Sequence, residues 1–192
     1  GDPILWWSPD PRTVLRPSLV HVSHSLRKRL KKRAFAVTVD AAFEQVLDGC
    51  AGPRAGEAGT WLSPAMRRAY ATLHRSGLGH SVEVWMDGEL AGGLYGVALG
   101  RMFFGESMFT RRTDASKIAI VQLCAQLVRW DMPLIDCQLE TDHLVSLGAE
   151  CLPRPRFIAE LERLVAASAP SWTLDADLAG DPDHAPRRLP AS

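Results

Sequence analysis

Asp136 and Gln138, two apart in Leu134-Ile135-Asp136-Cys137-Gln138-Leu139, are the polar pair best spaced for chemistry in this sequence. Alternate residues of a strand share a face, so Leu134, Asp136 and Gln138 project one way and Ile135, Cys137 and Leu139 the other. Carboxylate and carboxamide therefore sit side by side. On spacing alone, the commoner use of such a pair is to satisfy backbone groups at a strand end. A second acidic group, Glu106, lies in Gly105-Glu106-Ser107-Met108-Phe109. A lone glutamate there is usually a surface carboxylate. The other notable run is basic, Arg27-Lys28-Arg29-Leu30-Lys31-Lys32-Arg33. Such a run is most often a solvated helix face, and its functional use is contact with phosphates.

Composition narrows the classes. The 192 residues balance 22 basic against 22 acidic side chains, which excludes a wholly basic surface and leaves nucleic-acid binding to local clusters. Cys50, Cys124, Cys137 and Cys151 are far apart and form no C-x-x-C pair, which fits free thiols in a reducing cytoplasm. With six histidines they make no ligand-spaced cluster, so no metal is expected. No apolar run reaches the roughly 18 residues that a membrane helix needs. The length suits one domain, or one domain with an appendage.

Elements that could position these groups follow from pattern. Thr13–Leu15 is extended. Leu26 and Leu30 anchor a helix whose remaining surface is basic. Asp40 is expected to cap a short helix carrying Phe43, Val46 and Leu47 and stopped by Gly49. Ala51–Gly59 reads as a loop. Ser63-Pro64 opens a helix through Met66, Tyr70 and Leu73 that Gly77 closes. Three strands follow: one through Val82 and Val84, Leu90–Val97 after an Asp87-Gly88 turn, and Met102–Phe104. Gly92, Gly93 and Gly96 leave room for close approach by a ligand. Asp114 caps the longest helix, with Ile118, Val121, Ala125 and Val128 at helical spacing. Then come the Leu134–Leu139 strand, a short helix at Asp142–Leu147 and a last helix opened by Pro155. The segment from Asp175 onward is acidic and proline-rich. The order predicts an α+β fold with a mixed, mostly antiparallel sheet flanked by helices, similar to the core of acetyl-CoA-dependent acetyltransferases (GNAT-type).

Several collinear stretches resemble the leucyl/phenylalanyl-tRNA–protein transferase family. They are GDPILWWSPDPR (1–12), Gly59-Thr60-Trp61, HSVEVW (80–85), GGLYGV (92–97), GESMF (105–109), Ala115-Ser116-Lys117, LIDCQ (134–138) and DHLVSLGA (142–149). The resemblance runs from Gly1 to about Leu164. It implies an aminoacyltransferase of the bacterial cytoplasm that moves Leu or Phe from charged tRNA to proteins with N-terminal Arg or Lys. Such marking feeds the N-end pathway of protein degradation. No ATP, cofactor, metal or membrane is implied.

The resemblance also assigns residues. Asp136 would polarise and orient Gln138, which contacts the reacting amine, and Glu106 would sit at the aminoacyl-adenosine. Trp61 would lie near the adenine, with Tyr70 adding a hydroxyl. Leu94, Phe103, Met108, Ile120, Leu123 and Leu127 would line the side-chain pocket, though residues at such spacing are more often plain core. His24, Lys28, Lys31 and Lys32 would grip the tRNA acceptor stem. The expected layout is 1–12 as the remnant of an N-terminal segment, 13–170 as the acetyltransferase-like domain and 171–192 as a loosely ordered tail. The chain opens on Gly1 and lacks the family's preceding stretch, so a shortened member is expected. Thr141 stands where the family carries Asn. Two rivals stay open: an acetyl-CoA-dependent N-acetyltransferase, against which the charge of Asp114 counts at the start of the long helix, and an inactive tRNA-binding remnant.

Overall fold

The computed structural model describes residues 8–52 and 62–186. In chain order these form β1 (Arg12–Leu15), α1 (His24–Lys32), β2 (Ala36–Val39), α2 (Phe43–Ala51), α3 (Pro64–Arg75), β3 (Gly79–Met86), β4 (Glu89–Leu99) and β5 (Met102–Thr110). Then follow α4 (Ala115–Arg129), β6 (Leu134–Gln138), α5 (Asp142–Ser146), β7 (Glu150–Leu152) and α6 (Arg154–Val165). The expected α+β class, with a mixed and mostly antiparallel sheet, is what forms. Among the described residues no helix is long and apolar enough to cross a membrane.

One sheet takes the order β2-β3-β4-β5-β6-β1-β7. Its neighbours are antiparallel except β5 and β6, which run parallel across the α4 crossover. Adjacent residues of β4 point to opposite faces and show the two layers. Leu94 joins Ile118, Leu123 and Leu127 of α4, while Tyr95 packs with Phe43, Val46 and Leu47 of α2 and with Tyr70 of α3. The parallel pairing is short. It joins Met102–Phe104 to Leu134–Asp136, after which β5 continues with β4 to Thr110 and β6 ends at Gln138. The sheet therefore opens between β5 and β6, and the cleft so made holds the candidate site.

Local signals explain most boundaries. Ser23 Oγ accepts the Leu26 N–H at 3.3 Å and starts α1, and Ser63 Oγ does the same for Met66 at the head of α3. Each cap contributes about 1 kcal/mol. Asp87 and Gly88 have φ of 55° and 81°, the two left-handed positions of a tight hairpin between β3 and β4.

Several expectations change. Asp40 does not cap α2. It sits at φ 58°, and its carboxylate instead takes the Ser81 N–H at 2.8 Å and meets His80 Nδ1 at 2.7 Å. Gly49 lies inside α2, where a Cβ would come within 2.7 Å of the Phe109 ring. Asp114 precedes α4 but makes no capping bond, and its carboxylate pairs with Arg29 at 3.1 Å. The glycines of β4 serve internal packing: added Cβ atoms at Gly92, Gly93 and Gly96 would meet Ala115, the Val82 carbonyl and Phe103 with the Phe104 carbonyl. Residues 171–186 depart from the loose tail that their composition suggests. Asp175 and Asp177 pair with Arg129, Leu178 is buried, and Gly180 bridges to Ala36 on β2.

Candidate active site

Asp136 is fully buried near the end of β6. The neighbouring strand β1 answers its charge. Arg12 Nε donates to Asp136 Oδ1 at 2.8 Å and Arg12 Nη2 to Oδ2 at 2.7 Å, a two-pronged pairing that fixes the carboxylate plane. Asp136 Oδ1 also accepts the backbone N–H of Gln138 at 3.0 Å. Gln138 is in the left-handed region at φ 59°, a conformation that this bond helps hold. Its carboxamide Nε2 donates to the Asp136 carbonyl at 3.3 Å. The carboxylate thus orients Gln138 through its backbone, rather than by polarising the side chain directly. Gln138 Oε1 accepts nothing among the described residues and can face a reacting amine.

Glu106, from the part of β5 that runs on past β6, belongs to the same charged cluster. Tyr70 of α3 donates its hydroxyl to Glu106 Oε2 at 2.7 Å. Burial pushes the Glu106 carboxyl up, the Tyr70 bond pulls it back, the charge of Asp136 pushes it further and Arg12 opposes. Burial and the Glu106 charge push the Tyr70 phenol upward, so it remains a donor. Asp136, Arg12, Glu106 and Tyr70 therefore form one electrostatic unit spanning β6, β1, β5 and α3.

Beside this unit lies a cavity of about 350 Å³. Leu94, Phe103, Met108 and Ile120 line it, with Glu106, Gln138, Leu139, Thr141 and His143 among its other walls. Leu123 and Leu127, expected in the lining, belong to the core of α4 behind it and do not reach the cavity. His24, Lys28, Lys31 and Lys32 are exposed on α1, and the three lysines make no ion pair among the described residues. Trp61, and most of the first two matching stretches, lie outside the described residues.

Pattern reading missed two residues at this site. Arg12 closes the matching stretch 1–12, which was the available signal, but it pairs with a residue 124 positions away, and only strand order and register join it to Asp136. His143 on α5 lines the cavity, burial and nearby Lys117 push its imidazole down, and its Nε2 is enclosed without a hydrogen-bond partner among the described residues. Its place in the Asp142–Ala149 stretch was the available signal. Cys137, also on the wall, has its thiol pushed up to about 12 by burial and by Asp136, so it is no nucleophile near neutral pH. Among the described residues no group of three or more His, Cys, Asp or Glu is placed to hold a metal ion.

Residues 14–162 match the family model described as leucyl/phenylalanyl-tRNA protein transferase. This chain belongs to that family. A leucyl/phenylalanyl-tRNA–protein transferase of Chromohalobacter salexigens is 57% identical over 171 residues, covering 89% of this chain and 67% of that protein. One from Stutzerimonas stutzeri is 54% identical over 173 residues, covering 90% of this chain and 76% of that protein. Among solved structures, a GCN5-related N-acetyltransferase from Kribbella flavida aligns at 14% identity over 74% of this chain and 55% of its own, with a TM-score of 0.40. That likeness is too slight to bear on fold or chemistry.

Proposed function

We propose that this chain is an aminoacyltransferase that moves Leu or Phe from charged tRNA to the α-amine of proteins beginning with Arg or Lys, in the cytoplasm and as part of N-end marking for degradation. Membership of the family supports the reaction class. The observation that carries the reading is the cavity itself, apolar inside and edged by Glu106 and Gln138 where β5 and β6 part. A side chain of leucine or phenylalanine fills such a space, and filling it selects against smaller residues. We assign the transfer to the domain at 13–170.

The chemistry asks little of the protein. The ester is already activated, and an α-amine with a pKa of about 7.7–8.0 is partly neutral near pH 7. The amine nitrogen attacks the ester carbonyl, the bond to the ribose oxygen breaks, and one proton passes from the amine to the departing oxygen. Positioning and charge stabilisation suffice. Gln138 Oε1 accepts from the amine and aims its lone pair. Asp136, held by Arg12, keeps Gln138 in place. Glu106 receives a hydroxyl or ammonium of the aminoacyl-adenosine, with Tyr70 beside it, and Trp61 stacks on the base. His24, Lys28, Lys31 and Lys32 meet acceptor-stem phosphates.

The deciding experiment follows labelled leucine from charged tRNA to a peptide with N-terminal Arg, against one with N-terminal Ala. Arg-selective labelling is expected. Tight binding of charged tRNA without transfer would favour an inactive remnant instead. Replacing Lys28, Lys31 and Lys32 by Ala is expected to weaken tRNA binding and flatten its salt dependence, by roughly 0.7–0.9 in log–log slope for each phosphate left without its lysine. An unchanged slope would remove α1 from the tRNA interface.

A further inference from the structure

Phe103 lines the cavity, and the ring that packs against it comes from late in the chain. Trp172 lies 5.5 Å from the Phe103 ring centre at 37°. Trp130, just after α4, lies 5.0 Å from Trp172, and His80 of β3 stacks on it at 3.9 Å and 5°. His80 is itself fixed, since Nδ1 meets Asp40 Oδ2 at 2.7 Å. On the sheet side, Phe103 lies against Gly96, where an added Cβ would fall 2.5 Å from the ring. The ring is thus confined from the sheet and from behind.

The segment bearing Trp172 is strapped down. Arg129 of α4 donates to Asp175 at 2.6 Å and to both oxygens of Asp177 at 2.7 and 2.8 Å. The Asp175 N–H donates to Gln126 Oε1 at 2.7 Å. The Trp172 Nε1–H is buried with no partner among the described residues. A buried donor without an acceptor is a cost that phenylalanine would avoid. The position therefore uses the breadth of the indole rather than its hydrogen bond.

From this packing we infer that Trp172 is a specificity-determining positioning residue: it backs Phe103 and so sets how deep an amino-acid side chain can enter the cavity. The inference rests on the aminoacyl-transfer reading and deepens it. Interiors are close-packed, so a floor supported on its far side cannot yield without its support moving. With Trp172 trimmed, the Phe103 ring can retreat into the vacated space. The pocket then lengthens, and the larger guest gains relative to the smaller. Trp172 lies beyond the residues matched by the family model, which end at 162.

The test compares kcat/KM for phenylalanine and leucine transfer within each enzyme preparation. Their ratio cancels any loss of folded or active protein, so a purely structural role does not move it. Trp172→Ala is expected to raise the phenylalanine-to-leucine ratio about ten-fold over wild type and to admit tryptophan from its charged tRNA. Trp172→Phe, which keeps a ring and disturbs folding least, is expected to shift the ratio in the same direction by about three-fold. A wild type that transfers both residues, with a ratio unmoved in the variants, overturns the inference alone. A wild type that transfers neither overturns the parent reading, and this inference with it.

Discussion

Among the described residues two carboxylates are fully buried, Asp136 in β6 and Glu83 in β3, and the fold treats them differently. Asp136 meets a full positive charge, the Arg12 fork, along with one backbone N–H. Glu83 meets neutral donors only among the described residues: the hydroxyls of Ser81 and Thr38, each at 2.5 Å, and the Ala41 N–H at 3.3 Å. Burial pushes the Glu83 carboxyl up, its three donors pull it back, and the charge of Asp40 adds to the push. A guanidinium fixes both the charge and the plane of its partner, and hydroxyls do so less rigidly. The contrast separates a carboxylate that holds Gln138, the residue proposed to meet the amine, from one that ties two strands together.

Removing the fork breaks the comparison most sharply. Arg12→Ala leaves Asp136 buried and unpaired, which costs about 3–5 kcal/mol of stability, and transfer is expected to vanish. Thermal unfolding and the leucine-transfer assay read the two effects. Arg12→Lys supplies a point charge rather than a fork and should recover part of the stability but little of the rate. Loss of under 1 kcal/mol in Arg12→Ala would mean the pair does not hold the end of β6.

A step smaller is Gln138→Ala. It removes the group proposed to face the amine yet keeps the backbone N–H that Asp136 accepts. Transfer is expected to fall about 100-fold through lost positioning, with stability unchanged to about 0.5 kcal/mol. Near-normal turnover would strip Gln138 of its role. Glu106→Gln follows, with aminoacyl-adenosine binding expected to weaken roughly ten-fold as a charge-assisted hydrogen bond becomes a neutral one. Unchanged binding would leave Glu106 as a partner of Tyr70 alone.

The same contrast marks what could be read from the sequence. The strand bearing Asp136 and Gln138, the α1 basic face, the Ser63-Pro64 helix start and the Asp87-Gly88 hairpin all follow from local pattern, and all form. Arg12 does not follow, because its meaning depends on β1 lying between β6 and β7. The family resemblance makes Leu123 and Leu127 pocket residues, but resemblance does not say whether a cavity or another core residue lies opposite each one, and helical spacing at these positions fits plain core. In β3 the alternation of Val82 and Val84 with Ser81 and Glu83 suggests a wet face, yet all eight residues are buried. The Asp40 turn and α2 cover that face, and periodicity alone does not reveal a polar layer inside a protein. Trp172 sits in an acidic, proline-rich stretch whose composition hides its ring packing.

Glu83→Gln tests the other side of the comparison and has the smallest expected effect. Glu83 touches no residue assigned to the reaction, so transfer should stay at the wild-type rate. Its signature is in stability against pH. The folded-state pKa is raised above the ordinary 4.5, so between the two values the folded chain holds a proton that the unfolded chain has released. Each rise in pH through that window favours unfolding, and the penalty is complete once the pH passes the folded-state value. Gln cannot titrate. The variant should therefore gain on wild type as pH rises from about 4.5, by roughly 1.4 kcal/mol for each unit by which the pKa is raised. Denaturant unfolding of both proteins from pH 4.5 to 8 gives the difference curve. Carboxylates that do not interact with Glu83, Glu106 among them, cancel in it, whereas Asp40, whose charge acts on Glu83, is part of the difference. Parallel profiles would show that the hydroxyls of Ser81 and Thr38 compensate the buried charge fully, and the distinction drawn between the two carboxylates would collapse.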